Sequence, residues 1–281
     1  YRLIVVLIRN LPPKAGYRVA KWAGWLFYHF AIQLRRALTH NVSHVLGPEA
    51  DPDKVQAVVR QLCVNLAKGH YDLIRLNRLG DDEIKSLVQI EGREHVDPLL
   101  DTGRGVIFVS APLGNIDVVG QLPLVYGVPA TSVIEHIQPE RLFQYLLAQR
   151  KSHGLTLIPS DGQMLDLFRA LKRGEIVVLI GDRAIGDNAR SVNLFGSPTH
   201  LTDGPVQLAV RTNTPLIPAF VERLPDDTFL VHIEPPLEIP RTGDRSADVA
   251  AGMEMVIAVL ERYIGKHPEQ WLVARSVWPM D

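Results

Sequence analysis

From residue 105 onward, short runs rich in β-branched and aromatic residues alternate with longer segments of helical periodicity. Such alternation is typical of βαβ units, in which parallel strands form a sheet covered by helices. The predicted strands lie at 89–91, 105–111, 131–136, 155–159, 176–181, 216–222 and 229–233. The predicted helices between and after them lie at 116–125, 140–153, 162–172, 205–211 and 246–264. The sequence therefore predicts an α/β fold with a mixed, mainly parallel sheet flanked by helices.

Two details refine this prediction. Only Pro225-Asp226-Asp227 and its neighbours separate the last two strands, a connection so short that we expect this pair to be antiparallel. Upstream, Asp51-Pro52 predicts the start of a helix that runs to about residue 76, because aspartate caps a helix and proline suits its first position. A further short helix is expected at about 81–88, directly before the first strand.

The first 48 residues differ in charge from the rest of the chain. They contain basic residues but no aspartate or glutamate, although the net charge of all 281 residues is −1. Five aromatic residues lie close together between 22 and 30, and basic side chains flank them. This composition is typical of a helix that lies in a membrane interface, and we expect residues 1–36 to contact a membrane surface. The alternative is a helix docked on the core with a solvated basic face.

We therefore divide the chain into an amphipathic basic helical segment, 1–48, and an α/β domain, 49–281. Neither part contains about 18 consecutive apolar residues, the minimum for a membrane-spanning helix. The near-neutral net charge argues against a nucleic-acid-binding protein. Cys63 is the only cysteine, which excludes an internal disulfide and a thiolate metal cluster, and its helical pattern favours a buried structural thiol. Motifs of nucleotide-binding loops, zinc proteases and serine hydrolases are absent.

One turn predicts the position of a functional site. The apolar run 106–109 is broken by Pro112 and Gly114, after which Asn115 can cap a helix that carries Asp117 in its first turn. In open α/β sheets, ligands bind at the carboxyl ends of the strands. Asp117 is therefore either a carboxylate that orients a base or substrate, or simply an acid favoured by the helix dipole.

Other polar residues follow neighbouring strands or lie on the helices between them. Glu135 ends the next strand and is a candidate polar wall of the same crevice. Arg150 can bind a carboxylate or phosphate. Asp182-Arg183 follows a wholly apolar strand, which indicates either a buried ion pair that shapes the site or an arginine that holds a substrate anion. The backbone amides at 193–205 are a candidate anion site or an ordinary loop.

Several segments together resemble the bacterial late acyltransferases of lipid A synthesis and, more closely, their relatives that acylate phosphatidylinositol mannosides. The segments are 105–117, 135–154, 181–205 and 267–271. Phe195-Gly196-Ser197-Pro198, Gly204-Pro205 and Pro268-Glu269-Gln270-Trp271 are specific as a set, and the resemblance covers nearly the whole chain, including Asn41.

This resemblance implies acyl transfer from acyl-CoA or an acyl carrier protein to a hydroxyl of a membrane glycolipid, without a further cofactor. It also implies a location at the cytoplasmic face of the bacterial inner membrane. The family motif is a histidine followed five positions later by an acid, and the acid orients the histidine as it deprotonates the acceptor hydroxyl. Asp117 matches that acid. We expect a group of polar residues around the crevice to bind substrate: Asn115, Glu135, Arg150, Asp182 and Arg183.

The chain departs from the motif at the histidine, where it has Pro112. Proline exchanges no proton, and loss of a general base typically slows a reaction by about 10² to 10⁴. Either another histidine, such as His136 or His200, reaches the site, or the protein binds lipid without catalysis, or the proline is a change peculiar to this sequence. Besides an acyltransferase and a lipid-binding protein without catalysis, a third function class is a soluble enzyme that acts on small metabolites.

Overall fold

The computed structural model describes residues 10–160, 164–184 and 189–280. Two parts of the sequence predictions lie outside these residues. They are positions 1–9 of the expected membrane segment and the first residues, from Gly162, of the helix expected at 162–172.

Helices and strands alternate as the sequence predicts. The helices are α1 (Pro13–Phe30), α2 (Ile32–Leu46), α3 (Pro52–Arg75), α4 (Asp81–Leu87), α5 (Asp97–Asp101), α6 (Ile116–Val119), α7 (Leu122–Val125), α8 (Glu140–Arg150), α9 (Met164–Lys172), α10 (Gly204–Thr212) and α11 (Arg245–Lys266). The strands are β1 (Val88–Glu91), β2 (Val106–Ser110), β3 (Ala130–Ile134), β4 (Thr156–Pro159), β5 (Ile176–Ile180), β6 (Ala189–Leu194), β7 (Ser197–Thr202), β8 (Leu216–Arg223) and β9 (Phe229–Ile233). Short 3₁₀ turns occur at Leu76–Arg78, Arg93–His95 and Pro268–Gln270.

Seven strands form the central sheet in the order β1-β9-β8-β2-β5-β3-β4. Every neighbouring pair is parallel except β8 and β9, which are antiparallel as their short connection predicts. The α/β fold class, with a mixed and mainly parallel sheet, is therefore confirmed. Because β2, β5 and β3 are parallel neighbours, the chain leaves all three at the same edge of the sheet.

Two local predictions are wrong. The helix expected at 116–125 is two short helices, α6 and α7, because Pro123 at the start of α7 has no N–H to continue a helical ladder. The sequence predicts no strand between 181 and 205, but the β6–β7 hairpin lies there, at 189–202. Its turn residues Phe195 and Gly196 both have positive φ, 49° and 72°, which suits the tight turns that match strand twist.

The first three helices form a layer of their own. Asp51 caps α3 by accepting a hydrogen bond from the Asp53 amide, as the sequence predicts. The α1 helix packs closely on α3: a Cβ at Gly16 would lie 2.0 Å from the Tyr71 ring, and one at Gly24 would lie 2.5 Å from the Val64 backbone. Cys63 is buried in this layer, which confirms the prediction of a buried thiol.

The opposite side of α1 is uncovered and carries apolar side chains together with basic ones such as Arg18 and Lys21. Trp22 is 70% exposed and Phe30 is 73% exposed. Within the described ranges, no helix combines the length and the hydropathy needed to cross a membrane.

Candidate active site

A cavity of about 480 Å³ lies against one face of the central sheet. Alternate residues of the strands form its floor, among them Phe108 and Ser110 on β2 and Val178 and Ile180 on β5. The helices α5 to α8 contribute most of its roof. Its walls are mainly apolar, and its volume falls within the range of about 300–1,000 Å³ typical of ligand pockets.

Asp117 lines this cavity, at the edge where β2 ends. The turn predicted from the sequence positions it: Asn115 Oδ1 accepts hydrogen bonds from the backbone amides of Asp117 and Val118, at 3.0 and 3.2 Å. The Asp117 carboxylate accepts a 2.6 Å hydrogen bond from Arg150 Nε, which comes from α8. This charge is the main cause of a raised pKa for Arg150, so the guanidinium stays protonated.

The turn that contains Pro112 is held by the C-terminal segment. Pro112 is buried, and its carbonyl accepts a 2.7 Å hydrogen bond from the Leu272 amide. Gly114 donates its amide to the Gln270 carbonyl at 3.1 Å. A positive φ of 58° and a would-be Cβ 2.7 Å from the Val221 carbonyl oxygen explain the glycine. The turn is therefore fixed by backbone contacts that do not depend on the side chain at 112.

Asp182 forms an ion pair with the half-buried Arg183, whose Nη1 lies 3.4 Å from Asp182 Oδ1. Asp182 is fully buried and accepts a 2.6 Å hydrogen bond from Trp271 Nε1. Burial raises the pKa of the Asp182 carboxyl, and the charge of Arg183 opposes this only in part. Arg183 lines the cavity, and its Nε is buried without a hydrogen-bond partner among the described residues.

Glu135 also lines the cavity, directly after β3. Its two oxygens accept hydrogen bonds from Arg275 at 3.1 and 3.0 Å, so its charge is paired. The two histidines considered as replacement bases do not line the cavity. His136 is exposed and bonds Glu140 at 2.7 Å, and His200 is exposed on β7.

The structure thus brings four of the expected site residues to one cavity: Asp117, Glu135, Arg150 and Arg183. Two others lie behind its wall, Asn115 as the helix cap and Asp182 as the partner of Trp271. Pro112 is buried in the turn next to them. The catalytic and binding roles assigned to these seven residues remain predictions.

The residues that support this turn from behind are not predicted by the sequence. Asp72 and Arg223 form a buried ion pair, and Asn115 Nδ2 donates to the same Asp72 carboxylate. Gln270 binds the backbone of Arg223 through both of its amide atoms. The one available signal was Lys68 and Asp72, two charges one turn apart on the otherwise apolar face of α3.

Comparison with known proteins gives a family and two relatives. Residues 1–278 match the family model described as bacterial lipid A biosynthesis acyltransferase. The chain is 28% identical to a phosphatidylinositol mannoside acyltransferase of Mycobacterium tuberculosis over 258 residues, which cover 87% of this chain and 77% of that protein. A phosphatidylinositol mannoside acyltransferase of Mycolicibacterium smegmatis is 27% identical over 256 residues, covering 89% and 80% of the two chains.

The family match spans nearly the whole chain and includes the turn, the cavity walls and the C-terminal segment that holds them together. The chain therefore belongs to the bacterial lipid A biosynthesis acyltransferase family.

Proposed function

We propose that the protein transfers a fatty acyl group from acyl-CoA or an acyl carrier protein to a hydroxyl of a membrane glycolipid. The acceptor class is one like phosphatidylinositol mannoside or lipid A. The observation that carries this proposal is the apolar cavity with the Asp117 carboxylate at its polar end. An alkyl chain gains free energy by leaving water for such a cavity, at about 0.8 kcal/mol for each buried CH₂ group.

The charges at the polar end suit acyl transfer. Attack of a hydroxyl on a thioester places negative charge on the carbonyl oxygen, which preorganised donors stabilise. Arg150 donates to Asp117 through Nε, and its two Nη nitrogens carry further N–H groups at the same end of the cavity. Together with Arg183, these N–H groups are the donors available to a developing oxyanion or to an anionic part of the donor.

The site lacks the family histidine that would remove the proton of the acceptor hydroxyl, because Pro112 occupies its position. We propose that this protein transfers acyl groups slowly, by binding and orienting its substrates rather than by general base catalysis. The second candidate function, lipid binding without turnover, is favoured by that same proline.

The first prediction is that Pro112→His raises the rate of acyl transfer by about 10² to 10⁴, because it supplies a base five positions before Asp117. The measurement is release of free CoA from palmitoyl-CoA in the presence of phosphatidylinositol mannoside. Since Pro112 contributes only its carbonyl to the hydrogen bonding of the turn, the variant is expected to fold.

Matched variants separate the alternatives. Adding Asp117→Asn to Pro112→His should remove most of the gain, because the amide cannot stabilise a histidinium. No turnover in the parent protein combined with turnover in Pro112→His would support lipid binding without catalysis. If parent turnover disappears in His136→Ala or His200→Ala, one of those histidines is the base and our account of a slow, base-free reaction is wrong.

We further propose that α1 attaches the protein to the membrane, at the cytoplasmic face of the bacterial inner membrane. The second prediction is that Trp22→Glu combined with Phe30→Glu lowers affinity for phosphatidylglycerol vesicles by on the order of 10²- to 10⁴-fold, since each buried aromatic ring contributes about 1.5–3 kcal/mol. Co-sedimentation measures the affinity. Leu165→Glu on α9, which replaces another exposed apolar side chain by the same acid, is the control and should bind as the parent does.

A further inference from the structure

One carboxylate outside the cavity joins three separate parts of the fold. Asp72, on α3, is 3% exposed and has partners on both oxygens. Tyr17 of α1 donates to Oδ1 at 2.6 Å, and Asn115 Nδ2 donates to Oδ2 at 2.9 Å. Arg223 of β8 also donates to Oδ2. A buried carboxylate needs such partners, and loss of any one of them shifts the others.

Asn115 connects Asp72 to the start of α6, where Asp117 lines the cavity. Its Nδ2 is bound by Asp72, so the amide can turn only one way, and that way aims Oδ1 at the amides of Asp117 and Val118. The amide group is thus fully used, with its nitrogen on one buried charge and its oxygen on the first turn of α6. The position of the Asp117 backbone is therefore tied to the position of the Asp72 carboxylate.

A second route supports the same turn. Arg223, the charged partner of Asp72, has its backbone N–H and C=O bonded by the Gln270 side chain at 2.7 and 3.0 Å. The Gln270 carbonyl in turn accepts the amide of Gly114. The Asp72–Arg223 pair is therefore connected to two adjacent residues of the turn, Gly114 and Asn115.

The other end of this connection lies in α1. Burial, followed by the nearby Asp72 charge, raises the pKa of the Tyr17 phenol above its ordinary value, so the hydroxyl remains a donor. Tyr17 faces α3, whereas Trp22 and Phe30 on the same helix are exposed. One helix thus carries both exposed aromatic side chains and a hydrogen bond to the carboxylate that fixes Asn115.

We propose that Asp72 is a positioning residue for Asp117 and that Tyr17 makes its effect depend on the docking of α1. A lipid surface that holds α1 in place would, through Tyr17, Asp72 and Asn115, also hold the turn at the end of the cavity. The proposal rests on the proposed role of Asp117 in the acyl site, but the contacts themselves are testable without turnover.

The test is hydrogen exchange of the backbone amides at 117–118 in the full chain. Tyr17→Phe removes one donor to a buried carboxylate, and we expect exchange at 117–118 to accelerate on the order of 10- to 100-fold. The matched control is Tyr28→Phe, because Tyr28 also lies on α1 and donates to α3, at 3.0 Å to Gln56, away from Asp72. That control should exchange at 117–118 as the parent does.

Two further measurements make the result decisive. Amides at 256–260 in α11 should keep their parent rates in Tyr17→Phe, because a general loss of stability would accelerate them as well. Phosphatidylglycerol vesicles should slow exchange at 117–118 in the parent and in Tyr28→Phe, but not in Tyr17→Phe. Asp72→Asn should behave as Tyr17→Phe does or more strongly.

Equal exchange at 117–118 in the two tyrosine variants would overturn the proposal, and so would an equal increase at 256–260. A failed acyl transfer assay would instead count against the proposed function alone. Because Tyr17→Phe keeps the ring and all buried charges, it answers the question even if Asp72→Asn does not fold.

Discussion

The two faces of the central sheet are built from alternate residues of the same strands, yet they are packed differently. On β5, Val177 is fully buried in the apolar cluster shared with α9, α10 and α11, whereas Val178 lines the cavity. Close packing stabilises a fold, and a void of this size sacrifices contacts that a filled core would provide. We infer that one face stabilises the domain, whereas the other leaves volume for the acyl chain that we propose the protein binds.

The roofs of the two faces show the same difference. The packed face is covered by helices that include the 22-residue α11. The cavity face is covered by α5 to α8, of which only α8 exceeds five residues. Short helices bury little apolar surface each, so we attribute the open volume to this broken roof.

The largest expected effect comes from filling the cavity from its floor. Val178→Trp should lower binding of a palmitoyl chain on the order of 10²-fold, or about 2.7 kcal/mol, because the indole occupies space meant for the ligand. Its melting temperature should stay within about 2–4 °C of the parent value, since the ring enters existing volume. Isothermal titration with palmitoyl-CoA and thermal unfolding provide the two measurements.

The neighbouring residue is the control for this experiment. Val177→Trp places the same ring in a closely packed cluster and should cost at least about 1–3 kcal/mol of unfolding free energy. If both tryptophan variants destabilise the protein equally, the cavity face has no spare volume and our distinction between a packed face and a cavity face is wrong.

A smaller effect comes from truncating the same two residues. Val177→Ala should lower the free energy of unfolding by about 2 kcal/mol, because it leaves a void among fully buried side chains. Val178→Ala should cost less than about 1 kcal/mol, since its side chain already borders open volume. Urea denaturation checks both values, and a larger loss for Val178→Ala would contradict our assignment of the two faces.

The fold was largely predictable because its strands carry strong local signals. The prediction for β9 matches the structure, and that for β2 differs by one residue at each end, because apolar β-branched and aromatic runs end at turn residues. The β6–β7 hairpin was missed because its strands are mostly polar and half exposed. The Phe195-Gly196 turn was its one available signal.

The candidate site was predictable only where it depends on local sequence. The cap by Asn115 follows from residues within three positions of each other, and the structure confirms it. The pair of Asp72 and Arg223 joins residues 151 positions apart, and no spacing rule connects them. Likewise, the contact between Asp182 and Trp271 depends on how the C-terminal segment folds back over β2.

The smallest effect on stability is expected at Asp182, a fully buried carboxyl that follows β5 at the edge of the sheet. Burial raises its pKa above the ordinary value of 3.8, with Arg183 offsetting part of the effect. A raised carboxyl pKa means that the folded state binds the proton more tightly than the unfolded state does, so this residue's contribution to stability falls as pH rises from about 3.8 through the raised pKa.

Asp182→Asn has no proton to lose, and its Oδ1 can still accept from Trp271. The unfolding free energy of the variant relative to the parent should therefore increase with pH across that window, as measured by urea denaturation at a series of pH values. A difference that stays constant with pH would show that Asp182 is ionised at no cost, and that Arg183 is held by its carboxylate rather than free for a ligand.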